Sequence, residues 1–274
     1  MTNLGRGAGL GRKWGKYAAV GAVTVKQQLQ YRLDFVFRAM FLLLILYVFI
    51  QLWRAAYGGG GNEVVAGFTL KMIVWYLVFT EAVTMACPPL CVKVEDEVKS
   101  GDIALRLIRP QSYVGFHYMT FVGEAAVRFT VQLAAGSAIA WAFMGPPSFG
   151  WGWAELAVLL PGALSVAFLL NMAVALCAFW VEETRGMEFV LHKLQFTVGG
   201  MLLPLELMPE WLQRICAWLP FQAMLYLPAR AAVVPEPGLF AGYAAIQWAW
   251  AAALAAVCAL VYRKGVRRLH VNGG

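Results

Sequence analysis

The run Phe41–Ile50 contains only aliphatic and aromatic side chains, and five further stretches of similar character follow it. A helix needs about 20 mainly apolar residues to cross the ~30 Å hydrocarbon core of a bilayer. Six segments meet that demand: 35–53, 69–87, 113–143, 153–180, 187–204 and 239–262. The fifth is interrupted in its first half by His192, Lys193 and Gln195. The third and fourth are longer than a span requires, so they are expected to tilt or to extend past the bilayer. Composition points the same way. The 274 residues are 61% hydrophobic and 14% charged, against about 45–50% and about 25% in soluble domains. A surface facing water cannot absorb that excess, which excludes a soluble enzyme, a disordered chain and a disulfide scaffold. The expected fold class is all-α, a polytopic integral membrane protein with six transmembrane helices.

Six spans place both termini on one side. Seventeen of the 22 basic residues then fall on that side, while Arg54, Lys71, Arg214 and Arg230 fall on the other and Arg128 lies within the third span. Basic residues accumulate in cytoplasmic segments, so both termini are expected in the cytoplasm. The net charge of +7 is thereby accounted for by topology and by attraction to the anionic headgroups of the lipid bilayer. No nucleic-acid partner is needed to explain it. Trp53, Tyr57, Trp75, Tyr76, Trp151 and Trp153 fall near the expected outer interface and Trp180 and Tyr262 near the inner one, as amphipathic rings do. The five cysteines are odd in number and mostly embedded in apolar runs, so they read as small buried hydrophobes, neither disulfide partners nor metal ligands. Residues 1–16 hold no apolar core followed by a cleavage site, and no signal peptide is expected.

Three segments are not spans. In residues 13–33, Trp14, Tyr17, Ala18, Gly21 and Val25 recur at helical spacing beside Lys16, Lys26, Gln27, Gln28 and Gln30. This pattern suits a helix lying in the cytoplasmic interface; a soluble extension of the first span is the alternative. After the second span, Pro88-Pro89 breaks the helix. Leu90, Val94 and Val98 then recur every four residues, Gly101 is placed to end that helix, and Asp102 to cap a new short one. Leu105 and Leu107 supply apolar contacts until Arg109-Pro110 closes the segment. It is either a docking surface for a cytoplasmic partner or packing beneath the bilayer. Finally, 204–237 is too apolar for a free loop and too rich in proline for one spanning helix. It reads as two short re-entrant helices, with Pro209 in a first turn and Glu210 at its positive end.

This order of parts resembles the type-2 ATP-binding-cassette exporter permeases, whose fold is shared with the G-subfamily half-transporters. The resemblance covers roughly residues 13–270. It rests on Gly101-Asp102 through Leu107-Ile108-Arg109-Pro110, on the Pro204–Pro228 region, and on Tyr31-Arg32-Leu33-Asp34-Phe35, which is similar to a bacterial branch of viologen and multidrug efflux permeases. The resemblance implies a permease dimer in the bacterial cytoplasmic (inner) membrane, exporting a hydrophobic or amphipathic substrate. Its second permease would be identical or homologous, and separate ATPase subunits would bind ATP and Mg. It divides the chain into a cytoplasmic tail with a connecting helix (1–34), a transmembrane domain (35–262) and a basic tail (263–274). Within the domain lie a coupling segment (90–110) and an outer re-entrant segment (204–237). ATPase coupling is expected at Val94, Glu95, Asp96, Glu97, Val98, Gly101, Asp102, Arg106 and Arg109. A pathway along the second and fifth spans would involve Trp75, Tyr76, Phe79, Glu81, Thr84, Phe196, Leu202 and Leu203. Pro204, Pro209, Trp211 and Pro220 would form an outer gate. No G-x-x-x-x-G-K-[ST] phosphate loop exists in the sequence, since Gly15-Lys16 is followed by Tyr17 and lacks the earlier glycine. Neither catalytic residues nor a cofactor of its own are therefore expected.

Ionised groups within a bilayer are costly and usually paired. Glu124 and Arg128, four residues apart, are expected to form an intramembrane ion pair. Glu81 either approaches Arg128 or offers a negative site on the pathway, beside Thr80 and Thr84. His192 and Lys193 allow a proton relay or a lysine that snorkels to the interface. Glu182, Glu183, Arg185 and Glu188 form either a second cytoplasmic contact or a solvated cluster. An ion-coupled secondary transporter using the intramembrane carboxylates is the alternative function. It predicts inverted repeats, which spans 1–3 and 4–6 do not display. An intramembrane enzyme lacks H-E-x-x-H or G-x-S-x-G, and His117, His192 and His270 are far apart in sequence.

Overall fold

Hydrocarbon offers no partner to a backbone N–H or C=O, so a chain this apolar must pair its backbone internally. The computed structural model does so with helices, and describes residues 5–28, 32–58, 64–109, 111–181 and 183–272. Tyr31, Pro110 and Glu182, and the side chains of Trp14, Ala18, Arg32, Leu33, Asp34 and His270, lie outside the described part.

Helix α1 (Gly5–Gln28) precedes α2 (Arg32–Ala56), which carries the Phe41–Ile50 run. A small antiparallel hairpin follows, β1 (Val64–Val65) and β2 (Phe68–Thr69), with Val64 opposite Thr69. Thr69 then caps α3 (Leu70–Ala86), its Oγ1 accepting from the Met72 N–H at 3.3 Å. Pro88-Pro89 separates α3 from α4 (Leu90–Lys99), and α5 (Asp102–Leu107) comes directly after. Ser112 caps α6 (Tyr113–Met144) through the Gly115 N–H at 3.2 Å. Next come α7 (Gly152–Ala175), prolonged by a 3-10 turn over Leu176–Phe179, and α8 (Arg185–Val198). Three short helices, α9 (Glu210–Ala217), α10 (Phe221–Met224) and α11 (Tyr226–Val233), lead to α12 (Pro237–Asn272).

Among the described residues, five segments are long and apolar enough to cross a membrane: Phe35–Ala56, Leu70–Lys99, Tyr113–Met144, Gly152–Phe179 and Pro237–Arg268. The expected fifth span, 187–204, differs. Its helix is the 14 residues of α8, about 20 Å long, and it stops at Gly199 and Gly200, the latter at φ +74°. The chain beyond it attaches to the interior. The Tyr76 hydroxyl donates to the Gly200 carbonyl, Thr80 Oγ1 donates to the Met201 carbonyl at 2.8 Å, and Gln247 Nε2 donates to the Ala223 carbonyl at 2.8 Å. Gly200 and Met201 therefore sit beside the mid-length of α3.

Helices α3 and α7 form the core. The first packs on α2, α6 and α11, the second on α11, α12, α4 and α10. Helices α2, α6 and α12 turn apolar side chains such as Phe37, Leu44, Trp141 and Leu260 outward, as helices bordering lipid do. A five-residue clamp holds the α9–α11 region. Glu206 accepts from Arg230 Nε at 2.6 Å and from the Tyr226 hydroxyl at 2.7 Å, while Arg230 also reaches Glu236 at 2.9 Å and the Tyr243 hydroxyl at 2.6 Å.

The closest helix approach is at Gly152, where an added Cβ would lie 2.0 Å from the Ala232 carbonyl oxygen. Gly152→Ala must push α7 away from α11, with an expected loss of about 1–3 kcal/mol, read from thermal unfolding in detergent. Gly186→Ala, with open space around Gly186, should leave the unfolding temperature unchanged or raise it.

Candidate functional site

Two features qualify as working parts, the α4–α5 elbow and a cavity beside α8. The elbow turns at Gly101, whose φ of +78° is tolerated by glycine at no steric cost. Asp102 is the first residue of α5 instead of its cap, and its N–H reaches Ser100 Oγ at 3.4 Å.

Two of the three carboxylates of α4, Glu95 and Glu97, face the bundle. Glu95 is buried and accepts from the Thr184 N–H at 2.8 Å, Thr184 Oγ1 at 2.7 Å and Lys99 Nζ at 2.6 Å. Glu97 meets Arg106 Nε at 2.7 Å, the Tyr113 hydroxyl at 3.0 Å and His117 Nε2 at 3.2 Å. Val94 is buried as well. Three of the expected coupling residues, Val94, Glu95 and Glu97, thus point away from the surface. An ionised carboxylate against an apolar bundle is kept there by donors, and α6 and Thr184 provide them. Asp96, Lys99, Gly101, Asp102 and Arg109 are exposed, whereas Val98 and Arg106 are half-buried. The Arg106 guanidinium also lies over the Phe116 ring, 4.5 Å from its centroid.

With Ile103 as the buried anchor, α5 presents Leu105, 63% exposed, and Ile108 just beyond its end, 80% exposed. Leu105, expected to supply apolar contacts, faces outward. Tyr113 and His117 are functional neighbours that sequence reasoning missed. Their four-residue spacing in the first turns of α6 was the available signal.

The cavity, about 370 Å³, lies between the start of α2, the end of α3, and α8, with Met201 and Met224 contributed from beyond α8. Of the expected pathway residues, Thr84 and Phe196 line it, and Leu202 and Leu203 follow Met201, half-buried. Trp75, Tyr76 and Phe79 are instead buried in the core, the first and last of them in edge-to-face contact with Phe149 and Trp153. Glu81 is 1% exposed, and its Oε1 has no hydrogen-bond partner. These four do not line the cavity.

Glu124 and Arg128 form an ion pair at 3.3 Å, and Lys93 of α4 supplies Glu124 with a second cation that sequence reasoning missed. Pro204, Pro209 and Pro220 each precede a short helical turn, and Trp211 is exposed on α9. Among the described residues, no three His, Cys, Asp or Glu side chains come together as metal ligands.

A family model described as ABC-2 family transporter protein matches residues 37–273. The chain belongs to the ABC-2 transporter family. It is accordingly a multi-pass membrane permease of an ATP-binding-cassette system, and membership implies an ATPase partner. No curated protein matches the chain. The Glu97 hub braces the α4–α5 elbow on α6.

Glu97→Gln removes the charge that holds Arg106, Tyr113 and His117. The expected cost is roughly 1–3 kcal/mol, with faster amide hydrogen exchange across Ile103–Leu107. Glu210→Gln, in the exposed Glu210–Arg214 pair, should change neither stability nor exchange.

Proposed function

We propose that this chain is one of two permeases, identical or homologous, in an exporter of the bacterial cytoplasmic membrane. Separate ATPase subunits binding ATP and Mg drive it, and both termini lie in the cytoplasm. The observation that carries the proposal is the apolar face of α5, Leu105 and Ile108, exposed on a helix that Glu97 ties to α6. Exposed large apolar residues outside a bilayer mark interaction surfaces. In this reading an ATPase groove covers Leu105 and Ile108, flanked by the exposed Asp102 and Arg109.

The excess of basic residues on the α4–α5 side supports a cytoplasmic placement for that end. Helix α8 enters from it and reaches mid-bilayer, α9 and α11 form the re-entrant hairpin, and α8 with α11 completes the sixth crossing. The cavity beside α8 is the inner entry for a hydrophobic or amphipathic substrate. The hairpin, clamped by Glu206 and Arg230, closes the outer end, so that alternating access moves substrate outward. The ion-coupled alternative is weakened because Glu124 is already neutralised by Lys93 and Arg128, which leaves it Glu81 alone.

The test is co-purification with the products of neighbouring genes, followed by an ATPase assay in lipid. Leu105→Asp combined with Ile108→Asp should weaken ATPase capture by about thirtyfold or more, as central apolar contacts do. The unfolding temperature of the permease should stay unchanged, because both side chains are exposed. Full transport by this chain alone, driven by an ion gradient, would overturn the proposal.

A further inference from the structure

The cavity beside α8 is lined by an amide donor and an ammonium for which, among the described residues, the chain places no acceptor. Gln195 is 3% exposed, lines the cavity, and its Nε2 has no hydrogen-bond partner. A buried amide left in that state costs free energy unless something else accepts from it. Two residues earlier on α8, Lys193 also lines the cavity. Among the described residues its ammonium touches only rings, Phe189 at 5.2 Å and Phe196 at 5.7 Å from their centroids, and forms no ion pair. His192 stands beside it, and Arg38 contributes a second cation from α2. Glu188 is the carboxylate on this wall, and it lies against Cys91 of α4.

The remaining wall is apolar apart from the Thr84 hydroxyl, which donates to the Thr80 carbonyl at 2.8 Å. Phe196, Met201 and Met224 supply soft, adaptable surface, and the prolines after α3 add a face without an N–H. The volume, about 370 Å³, falls within the range of about 300–1,000 Å³ found for small-molecule sites. Donors set beside apolar residues, the Lys193 ammonium itself lying over Phe196, describe the complement of an anionic amphiphile. The head must be an acceptor with negative charge, because Lys193 and the Gln195 amide both donate. The tail must be apolar, because Met201, Met224 and Phe196 offer nothing to a polar group.

We propose that this cavity binds the anionic head and the adjoining apolar chain of an amphiphile, with Lys193 and Gln195 as the head-binding residues and Arg38 as the supporting cation. The proposal rests on the permease reading of the chain and narrows its substrate class from amphipathic to anionic amphipathic. A free amphiphile and an anionic membrane lipid share this chemistry.

The experiment uses the full chain in nanodiscs of neutral phosphatidylcholine. It compares a dansyl-tagged undecanoate with a probe of the same tag and chain length ending in a quaternary ammonium. Saturable binding of the carboxylate probe is expected, stronger than that of the ammonium probe. Lys193→Gln should weaken the carboxylate probe about tenfold, the worth of one charge-assisted hydrogen bond. Gln195→Leu should weaken it several-fold, and Lys193→Arg should retain binding, which separates loss of charge from loss of fold. Equal or tighter binding of the ammonium probe, or an unchanged Kd in Lys193→Gln, overturns the proposal. Competition by phosphatidylglycerol added to the nanodisc assigns the site to a lipid headgroup; saturable binding without competition assigns it to a free amphiphile. Binding is read without any ATPase, so the two readings fail separately. A chain that binds the carboxylate probe but captures no ATPase keeps the site and loses the exporter reading.

Discussion

An unpaired carbonyl or amide in hydrocarbon costs several kcal/mol, and this chain interrupts its helix at Gly199-Gly200, beside the mid-length of α3. The arrangement around that break follows from the need to cover what it frees. Tyr76 and Thr80 of α3 turn their hydroxyls to the carbonyls of Gly200 and Met201, and Gln247 of α12 turns its amide to that of Ala223. Those donors sit where an apolar residue would otherwise pack. The core helix α3 therefore does two tasks, burying the aromatic cluster on one side and supporting an irregular backbone on another.

Charges obey the same constraint. Glu95, Glu97, Glu124 and Glu206 each have two or more donors, at least one of them from another element. Each carboxylate consequently joins segments far apart in sequence: α4 to the loop before α8, α4 to α5 and α6, α6 to α4, and the start of the Pro-rich segment to α11. Ionic contacts of this kind add little net stability once desolvation is counted. What they supply here is register between helices whose apolar faces would tolerate sliding.

Most of the helical layout was legible in the sequence, because long apolar runs and the Pro88-Pro89 break act locally. The end of α8 was less so. His192, Lys193 and Gln195 signalled an irregular span, but the stop depends on Gly199-Gly200 docking to Tyr76, a contact 124 residues away in sequence. The candidate site was legible as a segment and misread in its facing. A four-residue apolar repeat at Leu90, Val94 and Val98 correctly placed one side of α4 inward, yet the acidic residues beside it look solvated until Tyr113, His117 and Thr184 are brought alongside. Trp75, Tyr76 and Phe79 show the converse, since aromatics next to a threonine pair suit a ligand wall or a packed core equally well, and only tertiary contacts choose between them.

The close crossing of α1 over α6, where the Gly21 carbonyl lies 3.0 Å from the Cβ position of Gly123, has a mechanical consequence. The Glu97 hub grips α6 at Tyr113 and His117, its first two turns, about 15 Å from that crossing at 1.5 Å per residue. The remainder of α6, from Gly123 to Met144, extends about 32 Å on the other side. A stiff rod pivoting at such a point is an unequal lever. A tilt imposed at the short arm displaces the long arm in the opposite direction, by about twice the distance. An ångström of push at α5 would arrive at the far rim as a swing of about two.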